Sequence, residues 1–174
     1  NDWNCPLFAE YILYHHKCDA LSVLDLSASQ MSDEHVLYLC RSIENMMDYE
    51  YECWKRGTKT TIKTKMKLET LNLSKNSKIT GKYLDWLLQV IQQYMPKMRL
   101  LNLSQTGLRD SSLAVILKQH IATLTIDLTN CASVTLAALS MYPRCISGRS
   151  VVSGMYCYNL VRFAKKAKRA QVSW

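Results

Sequence analysis

The sequence predicts an α/β fold in which short parallel strands alternate with helices and stack side by side as a solenoid. Three observations predict it. A core of the form apolar-[Asp/Asn]-Leu-[Ser/Thr] recurs at Leu24, Leu71, Leu101 and Ile126. Each copy alternates apolar and polar positions, the period of a strand with one buried face. Each is followed by a loop and, beyond it, by apolar residues at helical spacing. A strand and helix of about 25 residues cannot bury their apolar faces alone, whereas stacked copies bury them against one another. Every strand returns through a helix, so the strands must run parallel.

The reference copy is MRLLNLSQTGL, from Met98 to Leu108; LSVLDLSASQM from Leu21, LETLNLSKNSKI from Leu68 and TLTIDLTNCASV from Thr123 share its frame, the last two with one extra residue. Where the chain turns out of each strand stand Ser29, Asn76, Thr106 and Cys131. A small side chain in that slot can bond the exposed backbone groups of the turn. This frame, LxxLxLxx(N/C/S/T)x(L/I/M) and then a helix, resembles the leucine-rich repeat family, in its ribonuclease-inhibitor-like and cysteine-containing classes. The likeness runs from about Leu21 to Met141. It implies a short horseshoe of about four repeats plus caps, with a curved parallel sheet on the concave side and helices on the convex side. The gap between the first two copies is longer than the family's pattern.

The whole chain, 1–174, reads as one domain. Residues 1–20 form an N-terminal cap: Pro6 suits a helix start, and Leu7, Phe8, Tyr11, Ile12 and His15 make one helical face. Cys5, His15, His16 and Cys18 match no established metal spacing and read as core or surface residues. Residues 21–141 hold the four repeats. The first has its strand at Val23–Ser27 and a helix capped by Ser32 or Asp33, with a stripe of Val36, Leu39, Cys40, Ile43 and Met47 and a stop at Gly57. Thr58 to Lys67 is a basic, threonine-rich insertion. The second repeat has a strand at Thr70–Ser74 and a helix from about Thr80 to Tyr94, lined by Leu84, Leu87, Leu88, Ile91 and Met95 and ended by Pro96. The third has a strand at Leu100–Ser104 and a helix capped by Asp110 that carries Leu113, Ile116 and Leu117. The fourth has a strand at Thr125–Thr129 and a short helix with Leu136, Leu139 and Met141 before Pro143. Residues 142–174 form a C-terminal cap, with an irregular strand in Ile146–Ser153 and a basic helix over Tyr156–Ala170 whose apolar side holds Leu160, Val161, Phe163, Ala164 and Ala167.

Charge is unevenly placed. The total is +8, yet six basic residues and no acid fall between Lys55 and Lys67 (Lys55, Arg56, Lys59, Lys63, Lys65, Lys67). Seven basic residues and no acid fall from Arg144 onward. The repeats themselves are therefore mildly acidic. The seven cysteines form an odd set with no C-x-x-C pair, which reads as mostly reduced thiols. The two Asn-x-Ser acceptor patterns, at Asn72 and Asn102, lie inside expected strands, where a glycan would obstruct the sheet. Both points favour an intracellular site, cytoplasm or nucleus. No apolar run has the length of a membrane span. Asn1 is not a methionine, which leaves room for a targeting segment ahead of it.

No enzyme signature is present: no G-x-S-x-G, no phosphate-binding glycine loop and no H-E-x-x-H. The reading is non-catalytic, without cofactor or metal. The outward positions of the four strands make three columns on the concave face: Val23, Thr70, Leu100 and Thr125; Asp25, Asn72, Asn102 and Asp127; Ser27, Ser74, Ser104 and Thr129. Such an array can take a protein surface, so the leading reading is a protein–protein interaction module, a scaffold or adaptor subunit of a larger complex. The second reading is RNA binding, as in the leucine-rich repeat domains of RNA-export receptors, through the 55–67 insertion and through Arg162, Lys165, Lys166, Lys168 and Arg169. A third is an accessory subunit of a mitochondrial complex.

Overall fold

A computed structural model describes residues 21–58, 66–119, 121, 124–134 and 155–156. Strands and helices alternate along them: β1 (Val23–Asp25), α1 (Asp33–Lys55), β2 (Thr70–Asn72), α2 (Leu84–Tyr94), β3 (Leu100–Asn102), α3 (Asp110–Lys118), β4 (Thr125–Asp127) and β5 (Met155–Tyr156). The strands form one sheet in sequence order, every neighbouring pair parallel. The register aligns the repeated core residue for residue: Leu24, Leu71, Leu101 and Ile126 lie side by side.

The alternation in each core dictates what is buried. Leu71, Leu73, Leu101, Leu103 and Leu128 are fully enclosed, and they share one continuous apolar cluster with Ile43, Leu87, Leu88, Ile91, Leu113 and Ile116 from the helices. At about 25 cal/mol per Å² of apolar surface, this shared burial is the main force holding strand to helix and unit to unit. Met47 is buried and Met46 packs half-buried on the cluster, so the methionine pair serves packing.

The strands are shorter than the alternation suggests, ending at Asp25, Asn72, Asn102 and Asp127. Each of these side chains bends the chain by accepting the amide two residues on: Ser27 N–H to Asp25 at 2.9 Å, Ser74 to Asn72 at 3.1 Å, Ser104 to Asn102 at 2.9 Å and Thr129 to Asp127 at 2.8 Å. The next residue in each case, Ala28, Lys75, Gln105 or Asn130, takes the left-handed conformation at φ 53–58°. Backbone bonds between units nevertheless continue through the turn, Ala28 N–H to Ser74 O at 3.0 Å and Lys75 N–H to Ser104 O at 2.9 Å.

The helix ends hold two corrections. α2 begins at Leu84, not near Thr80. Gly81 sits at φ +94°, and the Asp33 carboxylate accepts the Thr80 and Gly81 amides at 3.0 and 3.1 Å, so a turn fastened to the first unit takes the place of the expected first helical turn. Asp110 is the first residue of α3, and Arg109 holds the cap position. Arg109 N–H donates to Ser112 Oγ at 3.3 Å, while the Asp110 charge lies where it complements the positive end of the helix dipole. α1 behaves as expected: Ser32 precedes it, and His35 Nδ1 accepts the Ser32 amide at 3.0 Å, taking the part a glutamate usually plays in a capping box. Lys55 ends it, with Gly57 at φ +73°.

Tyr156 is a second kind of correction. The spacing predicts a basic helix that starts there, yet Tyr156 pairs with Asp127 in β5. The strand thus falls just beyond the 146–153 stretch, on the alternating Met155–Tyr156 step. The N-terminal cap, the short fourth helix and the rest of the C-terminal cap lie outside the described residues. No described helix is long and apolar enough to cross a membrane.

Candidate functional site

Two of the three columns of outward positions meet across β1 to β4, because the register puts Val23 beside Thr70, Leu100 and Thr125, and Asp25 beside Asn72, Asn102 and Asp127. Their availability differs. The first column is open: Val23 is 54% exposed, and Thr70, Leu100 and Thr125 are half-buried. In the second column each side chain spends one oxygen on its own turn, as described above. Thr129 Oγ1 adds a second bond to Asp127 Oδ1 at 2.6 Å. The Asp25 carboxyl is held below the usual carboxylate range, chiefly by the Ser27 amide and then by the Ser27 hydroxyl. This column carries charge at its two ends and amides in its middle.

The third column is the one the sequence misjudged. Ser74 and Ser104 are buried, at 5% and 9% exposure. They stand in the second and third units, where a described unit on either side closes over the turn, whereas Ser27 on the first unit stays half-buried. They are part of the turn and offer little to a partner.

Behind the columns lies a network that the repeat frame foreshadowed. Asn76, at 1% exposure, donates from Nδ2 to the carbonyls of Leu26 (2.9 Å), Leu73 (2.9 Å) and Ser74 (3.2 Å), and accepts the Met31 amide at 3.0 Å. In the same slot Ser29 donates to Leu26 O, Thr106 to Leu103 O at 2.6 Å, and the Cys131 thiol to Leu103 O at 3.2 Å. Asn76 and Cys131 each reach back to the preceding unit, so this slot holds neighbouring strands at a fixed spacing and makes the outward face rigid.

No family model matches this sequence. Nor does any curated protein. The chemistry of the surface itself is therefore what bears on function.

Among the described residues no three His, Cys, Asp or Glu side chains come together as metal ligands. Of the basic insertion, Lys55, Arg56 and Lys67 are described and exposed; Arg56 lies 4.0 Å from Glu52. Lys59, Lys63 and Lys65 lie outside the described residues, as do Arg162, Lys165, Lys166, Lys168 and Arg169. The structure adds two basic residues that the charge count leaves in the mildly acidic remainder. Lys97 and Arg99 are exposed and immediately precede β3. Lys97 stands in the turn closed by Met98 N–H to Met95 O at 3.0 Å, and Arg99 N–H bonds Glu69 O at 2.8 Å. Aligning the repeats by position, rather than summing charge along the chain, would have found them.

A polar cleft of about 290 Å³ lies between the second and third units, lined by Thr80, Lys82, Arg109, Ser111, Ser112 and Val115 among others. One of its two cations is already spent: Lys82 pairs with Glu34 at 3.2 Å.

Proposed function

We propose that the chain is a leucine-rich repeat solenoid that works as a non-catalytic protein-interaction module, a scaffold or adaptor subunit within a larger intracellular complex. The observation that carries this reading is the open column of Val23, Thr70, Leu100 and Thr125, held in register by the ladder and backed by the Asn76 network. A face already ordered before contact loses little entropy on binding, which favours recognition of another folded surface or an extended peptide. The exposed Asp25 and the half-exposed Asp127 stand about three strand spacings apart, roughly 14 Å. They favour a partner with basic groups near both ends of its contact and small or apolar groups between them.

The test uses the full chain as bait in native lysate treated with nuclease, beside a Thr70→Glu/Leu100→Glu variant. Both substituted side chains lie on the outward face, so the variant is expected to fold, with an unchanged circular dichroism spectrum. A defined set of proteins captured by the parent and lost by the variant supports the reading. The same set retained by the folded variant rejects this face as the docking surface.

A further inference from the structure

We propose that the end of α1 is a modification site: Tyr49 and Tyr51 accept phosphate from a tyrosine kinase that reads acidic flanks, and phosphate on Tyr49 loosens the helix end. This goes beyond the protein-docking reading and does not depend on it.

The site begins with the length of α1. It runs 23 residues, against 11 and 9 for α2 and α3. Among the described residues its buried side chains are Val36, Leu39, Cys40, Ile43 and Met47. The segment from Asp48 to Lys55 extends about 12 Å past the last of them. Cys53 is half-buried there, while Asp48, Glu52 and Lys55 are exposed. Tyr49 and Tyr51 keep 55% and 47% of their surface in water. A helix end with few buried apolar contacts opens locally at low cost. That matters because a transferase that grips residues on both sides of its target takes them extended, out of the helix. Tyr38 supplies the contrast within the same helix. It is 40% exposed, yet it stands among the buried Val36, Leu39 and Cys40, so extending the chain around it strips the core.

The sequence at the pair is Asp48-Tyr49-Glu50-Tyr51-Glu52. Both tyrosines have an acid on either side, and a cleft lined by basic residues complements them. The negative field reaches the neighbouring unit. Burial, and then the charges of Asp48 and Glu44, push the Tyr94 hydroxyl on α2 above the usual tyrosine range. Glu52 also lies in the last turn of α1, at the negative end of the helix dipole, where an acid weakens the helix. Its partner Arg56 is 4.0 Å away and exposed, so the pair returns little.

In the transfer, the phenol oxygen bonds to the γ-phosphorus of a nucleoside triphosphate. The bond from that phosphorus to the bridging oxygen breaks, the diphosphate leaves, and the phenol proton passes to the kinase's base. Each phosphate adds about −1.5 to −2 charge at pH 7. The two positions then differ. At helical spacing Tyr49 has Asn45 and Met46 behind it and Glu52 and Cys53 ahead, so a phosphate there meets an acid and no base. Tyr51 has Asp48 behind but Lys55 ahead, which offsets its phosphate. The loosening therefore belongs to Tyr49.

The experiment incubates the full chain with ATP and a purified tyrosine kinase selective for acidic flanks, and locates phosphate by peptide mass spectrometry. Tyr49 and Tyr51 are expected to be labelled about ten-fold faster than Tyr38. An Asp48→Asn/Glu50→Gln/Glu52→Gln variant is expected to keep its circular dichroism spectrum and to be labelled about five-fold more slowly. Tyr51→Phe and Tyr49→Phe variants, each phosphorylated at the remaining site, are then compared by amide hydrogen exchange over residues 48–55. Phosphate on Tyr49 is expected to speed exchange there about three-fold, and phosphate on Tyr51 to leave it unchanged. Four outcomes overturn the proposal: no phosphate on either tyrosine, equal labelling of Tyr38, a neutralised variant labelled at the parent rate, or exchange unaltered by phosphate on Tyr49. On the chain isolated from its own cells, an anionic group on these tyrosines that a tyrosine phosphatase fails to remove would assign the site to sulfate and overturn it as well.

Discussion

Asn76 concentrates more interactions than any other described side chain. It is enclosed, and its amide serves three carbonyls and one backbone N–H across two units. An amide has two N–H donors, so one of the three carbonyls shares a proton. Alanine would take from the Met31 N–H and the Leu73 carbonyl the amide that serves them, each worth about 1–3 kcal/mol, while Ser29 still donates to the Leu26 carbonyl. Asn76→Ala is expected to cost about 3 kcal/mol or more in urea unfolding, and Ser29→Ala, at a half-buried site with one bond, about 1 kcal/mol. Ala28 is the converse case. Held at φ 53°, it pays about 1 kcal/mol for the left-handed conformation. Glycine removes that cost and adds back part of it as chain entropy, so Ala28→Gly is expected to raise the urea midpoint by the equivalent of about 0.5 kcal/mol. Cys40 is different again. Burial, and then the nearby Glu44 charge, push its thiol up to about 12. In the native protein at pH 8, iodoacetamide followed by peptide mass spectrometry is expected to label the half-exposed Cys53 and to leave Cys40 unmodified; labelling of both at equal rates would mean that this helix opens readily.

At the scale of elements, what was legible in the sequence was whatever a period records. The apolar stripes of α1 and α2, Leu113 and Ile116 of α3 and the inward leucines of the strands follow from spacing alone, and they lie in the core as expected. What was not legible was set by contacts between units. No periodicity in Thr80–Tyr83 tells that Asp33, far earlier in the chain, will hold the Thr80 and Gly81 amides and delay α2 to Leu84. Likewise the burial of Ser74 and Ser104 depends on the neighbours that close over them, and serine carries no sign of that. Lys97 and Arg99 were hidden because charge was summed along the chain, whereas the repeat frame aligns Lys97 with Lys67. The closeness of the units has its own test. A Cβ on Gly107 would meet the Ser77 carbonyl oxygen at 2.3 Å, with its carbon at 3.4 Å. Backbone cannot step aside as a side chain can, so Gly107→Ala forces the second and third turns apart. The expected cost is about 2 kcal/mol, seen as a lowered thermal midpoint.

At the scale of the whole molecule, the apolar cluster decides how the units respond together. It runs without a break from Leu24 in the first strand to Val134 beyond the fourth, so no described unit has a core of its own. A chain built that way loses its units together when a shared residue is removed. Leu101 lies at the centre, with 0% exposure and a paired strand on each side; Leu24, at 8%, lies in the first strand of the described sheet. Removing the side chain of Leu101 leaves a cavity that neither neighbour can fill without losing register, so Leu101→Ala is expected to cost about 4 kcal/mol. Leu24→Ala, at a site freer to collapse, is expected to cost about 2.5 kcal/mol. The size of the two losses matters less than their form. If the described units unfold as one body, both variants shift the urea midpoint while keeping the parent's slope and a single transition in circular dichroism. If the units instead unfold independently, Leu101→Ala will split the curve or lower its slope, because the third unit melts before the rest. That second result would also weaken the docking proposal, since a face assembled from four strands stays rigid only while all four remain folded.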